Sequence, residues 1–231
     1  MNFEVWAPTE GDAETVAAGL DGYYRRFLKD LECGGMLKKK PQVYIFANYE
    51  DYVDKLGTLR YNVKNTGGIA IPRSARKPAE IYSFLSDNLL DEVIPHELTH
   101  LLFKEIVAGL KTNAAMPLWL SEGMAEYEKS TKRYKAEVKK ALESGALTPL
   151  TEIVGYTAYP TDLNKNRLFY AESASIVEFL LTGYGGAKFT SFSRKLVSDR
   201  KKIDEALFST YYPQIKDVSQ FNDAWLKFLK K

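Results

Sequence analysis

Both histidines of this 231-residue chain fall in one five-residue stretch, His96-Glu97-Leu98-Thr99-His100. On an α-helix, positions four apart lie one above the other on the same face. Two imidazoles stacked in that way can converge on a single zinc ion, and the carboxylate beside the first can activate a water. Taken alone, the pattern also fits a helix with two ordinary histidines and a solvated glutamate. The whole histidine content of the chain is spent on this one pattern, which favours the metal.

A catalytic zinc site has three protein ligands and one open position. The chain has no third histidine, and its one cysteine, Cys33, is distant in sequence, so the third ligand is expected to be a carboxylate. Residues 117–127 read Pro-Leu-Trp-Leu-Ser-Glu-Gly-Met-Ala-Glu-Tyr. Glu122 suits the role: it stands near the start of a helical pattern, and Gly123 beside it allows a close approach to another helix. Glu126 lies four residues on, where a carboxylate can accept a hydrogen bond from the far nitrogen of a ligating imidazole. By themselves the two glutamates also read as a solvated stripe; next to H-E-x-x-H the ligand reading is preferred.

Composition narrows the classes. Hydrophobic residues at 45% and charged residues at 27% describe a globular chain with a sizeable core. A net charge of +2 gives no reason to expect nucleic acid as partner, and Lys38-Lys39-Lys40 reads as a solvated loop. A single cysteine excludes an intramolecular disulfide and a thiolate zinc site, and no apolar run is long enough for a membrane span. Phe3-Glu4-Val5-Trp6 reads as a strand directly after Met1 and Asn2, with no signal peptide in view. That start fits a cytoplasmic protein and equally one exported and stripped of its leader, so the compartment stays open.

Along the chain, residues 3–7 alternate as a short strand. A helix follows on Val16, Leu20, Tyr23, Tyr24, Phe27, Leu28 and Leu31, with Gly34-Gly35 as its stop. Gln42-Val43-Tyr44-Ile45-Phe46 reads as a strand covered on both faces. Asn48 is placed to cap a short helix closed by Gly57. Two strands are expected at 67–72 and 79–84, the first at a sheet edge because of Pro72. Such an edge can pair with an extended peptide. Ser86 or Asp87 is expected to cap the histidine helix; either that helix begins at Pro95 or a longer one bends there, and the apolar face continued by Leu89, Leu90, Val93 and Ile94 favours the bend. Beyond Gly109 helices are expected at about 118–130, 133–144, 168–183, 187–199, 201–208 and 217–230, with a loop over 148–166. The fold class is therefore α+β. One domain over 1–231 is expected, with a mixed N-terminal lobe (1–110), a helical C-terminal lobe (111–231) and the histidine helix at their junction.

The two motifs together, His96-Glu97-x-x-His100 and, after 18 intervening residues, Trp119-Leu120-Ser121-Glu122-Gly123-x-Ala125-Glu126-Tyr127, resemble those of the gluzincin metallopeptidases of the peptidase MA superfamily. The closest likeness is to bacterial peptidase MA-like domains. A weaker likeness continues through Tyr170-Ala171-Glu172-Ser173 and Gly183-Tyr184-Gly185, so it spans roughly residues 40–230. The resemblance implies a zincin-like fold, one zinc ion on His96, His100 and Glu122, Glu97 as general base, Glu126 behind a ligating histidine, and a peptide or protein substrate. It also implies a tyrosine that steadies the oxyanion. Tyr170 is the first choice for it, followed by Tyr156 and Tyr159. The acidic G-x-M-E-N-like segment of gluzincin aminopeptidases is missing at Gly67-Gly68-Ile69-Ala70, which points to cleavage within a chain. The rival expectation is a zincin-fold binding domain without turnover; an intact Glu97 argues against it, because metal binding alone does not need that residue.

Overall fold

β-branched and aromatic runs in the first half of the chain form four strands, β1 (Glu4–Trp6), β2 (Gln42–Phe46), β3 (Gly68–Ile71) and β4 (Glu80–Phe84). The computed structural model describes residues 2–34, 37, 39–74, 77–108, 115–129 and 131–231. Met1, Gly35, Lys38, Gly109 and position 130, which enter the expectations above, lie outside them. The strands make one sheet in the order β1-β2-β4-β3. β1 and β4 run parallel to β2, and β3 runs antiparallel to β4, which places β3 at an edge as Pro72 suggested. The parallel pairs follow from helical crossovers between their strands: α1 (Glu10–Asp30) joins β1 to β2, and α2 (Tyr49–Thr58) follows β2.

Register explains the side-chain layers. Val43 and Ile45 are buried on one face of β2, while Gln42, Tyr44 and Phe46 are half-buried on the other, so the strand is covered on both sides as expected. Tyr52 and Leu56 of α2 pack with Val63 and Tyr82, flanked by Tyr44, Phe46 and Phe84. Pairing of Trp6 with Tyr44 and of Tyr44 with Tyr82 stacks three rings across the sheet at centroid spacings of 4.8 and 4.9 Å.

Several boundaries differ from the sequence reading, each for a local reason. α1 stops at Asp30, ahead of Gly34. Among the described residues of this turn the left-handed one is Glu32, at φ 48°, and its carboxylate accepts the Gly186 N–H at 2.9 Å, a bond that offsets the strain. Asn48 does cap α2, accepting the Asp51 N–H at 2.9 Å, but the helix runs through Gly57 to Thr58. Neither Ser86 nor Asp87 caps the histidine helix. Asn88 takes the N-cap position of a π-helical turn, Leu89–Val93, and Ser86 Oγ donates to its side chain at 3.0 Å.

That turn leads directly into α3 (Ile94–Ala108), with Pro95 as the second residue of α3. Within the turn the Ile94 N–H reaches back five residues to the Leu89 carbonyl. One extra residue in the turn widens it, which separates the Pro95 ring from the Asp91 carbonyl that a regular helix would crowd. Pro95 then occupies the first turn of α3, where a missing N–H costs nothing.

By its internal contacts the chain divides into two compact units, Met1–Lys29 with Gly34–Leu102 and Lys129–Thr131, and Asp30–Cys33 with Phe103–Glu128 and Lys132–Lys231. The division falls inside α3. The second unit is helical: α4 (Leu118–Glu128), α5 (Tyr134–Ser144), α6 (Leu150–Ile153), α7 (Leu163–Tyr184), α8 (Gly186–Val197), α9 (Ile203–Tyr211) and α10 (Val218–Leu229). α7 is its axis, buried along Ala171–Val177 and Phe179–Leu181. Trp225 of α10 donates its indole N–H to Ser175 Oγ at 2.8 Å. α7 starts five residues before the expected position because Asp162 caps it, accepting from the Lys165 N–H at 2.9 Å. Its first turn carries the exposed Leu163 and polar neighbours, so apolar periodicity gave no sign of it. α6 is a single turn inside the expected 148–166 loop. No helix among the described residues is long and apolar enough to cross a membrane.

Gly123 is where α4 meets α7. A Cβ there would collide with the Ser173 carbonyl group, which is backbone, and stand 3.0 Å from Val177 Cγ2. Gly123→Ala is expected to destabilise the protein by about 1–3 kcal/mol, the usual cost of overpacking, measured by urea unfolding. Unchanged stability would show that α4 and α7 are not held this closely.

Candidate metal centre

α3 presents two different faces. Leu98, Thr99 and Leu102 are buried, while His96, Glu97 and His100 are half-buried on the other side. Thr99 Oγ1 donates to the Pro95 carbonyl at 2.5 Å. With its hydrogen committed there, Thr99 accepts from the Tyr23 hydroxyl of α1, also at 2.5 Å. This chain of hydrogen bonds anchors the first turn of α3 on the side away from the histidines.

On that face His96 Nε2 and His100 Nε2 stand 3.1 Å apart. The rings are nearly perpendicular, 84° between planes and 4.7 Å between centroids. Two nitrogens bonded to one tetrahedral zinc at about 2.0–2.1 Å stand roughly 3.3 Å from each other. The observed spacing matches two ligands of one ion. Glu122 of α4 is the third member of the group: one ligand atom each from His96, His100 and Glu122 lies within 4.8 Å of the others. Two imidazoles and a carboxylate suit zinc, and among the described residues this is the one such group that could hold a metal ion.

Glu97 sits over the edge strand. A Cβ on Gly68 of β3 would lie 3.1 Å from Glu97 Cγ and 2.9 Å from Val93 Cγ1. Gly68 thus makes room for the glutamate, a role the sequence did not announce.

Glu122 is 5% exposed and accepts a hydrogen bond of 2.7 Å from the Tyr159 hydroxyl. The Tyr159 phenol is raised well above its ordinary pKa by burial and then by the Glu122 charge. Its ring stacks on Tyr170 of α7, with centroids 5.9 Å apart and planes 21° apart. Tyr170, the first-choice tyrosine, is thus the ring neighbour of Tyr159, and the two phenols also share a hydrogen bond. Tyr156 is turned elsewhere, donating to Glu152 at 2.5 Å, a bond that pushes its phenol up to about 12. Glu126 lies one turn beyond Glu122 and, with Tyr170, Arg133, Asn166 and Arg167, lines a cavity of about 470 Å³. No sequence signal connects Tyr159 to Glu122, because 37 residues and a turn-rich segment separate them.

With the fold and this group in place, comparison with known families is decisive. A model of the peptidase MA superfamily matches residues 26–231. The chain belongs to the peptidase MA superfamily. No curated protein matches its sequence. The four-stranded sheet and surrounding helices are the zincin-like α+β arrangement of this peptidase MA protein. Its fold is metallopeptidase-like, its family implies peptide or protein substrates, and its His-His-Glu group is compatible with zinc.

A second buried carboxyl supports the wall of the same unit. Glu172 of α7 is fully buried, and its Oε1 accepts the Thr148 N–H at 2.7 Å. Its Oε2 is buried without a hydrogen-bond partner. Burial raises its pKa from 4.5 to about 7, against the smaller opposing effect of the Thr148 bond. Between those two values the folded protein holds a proton that the unfolded chain has released, so stability falls as pH rises through the window. From about pH 4.5 to above 7, wild type should lose on the order of 3 kcal/mol relative to Glu172→Gln. Urea unfolding of both proteins across that range checks this; parallel pH profiles would refute it.

Proposed function

We propose that this peptidase MA protein is a zinc-dependent metallopeptidase that cleaves peptide bonds within chains, acting as one peptidase domain over residues 1–231. His96, His100 and Glu122 hold the ion, Glu97 is the general base, Tyr170 steadies the oxyanion, and Glu126 supports a ligating histidine. One observation carries the reading: His96 Nε2 and His100 Nε2 converge to 3.1 Å in a group completed by Glu122.

When bound, zinc supplies a Lewis acid that polarises the scissile carbonyl and increases the acidity of water. Glu97 accepts a proton from the attacking water as its oxygen bonds to the carbonyl carbon. The same carboxyl group then hands that proton to the leaving nitrogen as the C–N bond breaks. Tyr170 donates its hydroxyl hydrogen to the carbonyl oxygen as negative charge gathers there. β3 supports recognition of an extended substrate. It is paired on one side with β4, and its other edge offers backbone groups to a peptide laid alongside. Such main-chain pairing needs no free amino terminus, in keeping with the missing acidic segment near Gly67-Gly68.

Two substitutions test this reading. Glu97→Gln should retain zinc and lose about two to four orders of magnitude in peptide cleavage, the scale of general acid–base help. Undiminished cleavage by the purified variant would reject Glu97 as the base. Glu122→Ala should lower zinc content measured by elemental analysis, whereas full occupancy would move the third ligand elsewhere. A wild-type protein that binds zinc yet leaves a broad peptide library intact would favour the binding-domain alternative.

A further inference from the structure

The hydrogen bond from Tyr159 to Glu122 has no part in the chemistry above, and it contacts the least exposed member of the proposed ligand set. A carboxylate has two oxygens and can bind a metal through one or both, turning about its terminal bond. At Glu122, one oxygen is taken by the Tyr159 hydroxyl at 2.7 Å. A hydroxyl donor on one oxygen restrains the rotation of the whole carboxylate plane.

The donor is as firmly held as the acceptor. Tyr159 stacks on Tyr170, which belongs to α7. α7 lies against the α4 segment that carries Glu122, at the Gly123–Ser173 approach. The segment bearing Tyr159 is tied on both flanks: Glu172 holds the Thr148 N–H before it, and the Asp162 cap opens α7 after it. Phenol and carboxylate are therefore presented to each other by packed elements.

We infer that Tyr159 is a positioning residue for Glu122: its hydroxyl orients the carboxylate for the metal and thereby sets zinc affinity. The inference rests on the reading of Glu122 as third ligand. Hydrogen-bond partners of ligating groups typically contribute about 10–100-fold to metal affinity. Phenylalanine keeps the ring and its stack on Tyr170 and removes only the hydroxyl.

The test is zinc affinity, measured by competition with a chromophoric chelator on the full chain, for wild type, Tyr159→Phe and Glu122→Ala. Tyr159→Phe is expected to bind zinc about 10–100-fold more weakly, with the melting temperature of the metal-free protein unchanged. The visible absorption of its cobalt(II)-substituted form should also differ from wild type. If Tyr159→Phe matches wild type while Glu122→Ala loses affinity, the positioning role is wrong and the ligand assignment stands. If Glu122→Ala also matches wild type, or wild type takes up no zinc, the ligand assignment fails and the inference fails with it. A weaker Tyr159→Phe whose metal-free form is destabilised to the same degree contradicts a specific role at the carboxylate.

Discussion

The site depends on the approach of two imidazole nitrogens from successive turns of one helix. Their 3.1 Å separation suits a shared cation, and it is fixed by the backbone of α3. The four-residue spacing puts both rings on one face, and the buried Leu98 and Leu102 on the other side keep that face turned outward from the core. The π turn before Ile94 lets Pro95 enter the first turn without breaking the helix. The Tyr23–Thr99–Pro95 hydrogen-bond chain then fastens that turn to α1.

Two buried carboxyl groups in the helical unit show how environment separates roles in one residue type. Glu122 has a hydroxyl donor on one oxygen and two imidazoles nearby, surroundings that accept an anion when a cation is present. Glu172 has one backbone N–H, an unpartnered second oxygen and no cation among the groups that shift it, and burial pushes it up to about 7. The first is suited to ligation. The second secures Thr148, at the start of the segment that ends in Tyr159 and the α7 cap. Gly123 makes the arrangement possible, because any larger residue would drive α4 off the Ser173 backbone.

The parts of the fold and site visible in sequence are those written in local pattern. H-E-x-x-H depends on helical geometry alone. Glu122 followed from ligand chemistry and a short motif, and β3 at the edge followed from Pro72. The hidden features arise from tertiary contact. Glu32 adopts a left-handed conformation after α1, and its side chain is held by the Gly186 N–H. The first turn of α7 carried no apolar periodicity, and only its Asp162 cap marked it. Tyr170 is marked by its place in a motif, whereas the hydrogen bond from Tyr159 to Glu122 comes from a turn-rich segment whose one-dimensional pattern carries no sign of it.

The central claim is that one zinc ion is held by His96, His100 and Glu122. Zinc-edge X-ray absorption of the zinc-loaded wild-type protein tests it most directly. The expected spectrum shows two imidazoles among nitrogen and oxygen neighbours at about 2.0–2.2 Å and no sulfur. Fewer than two imidazoles, or a sulfur neighbour at about 2.3 Å, would contradict it.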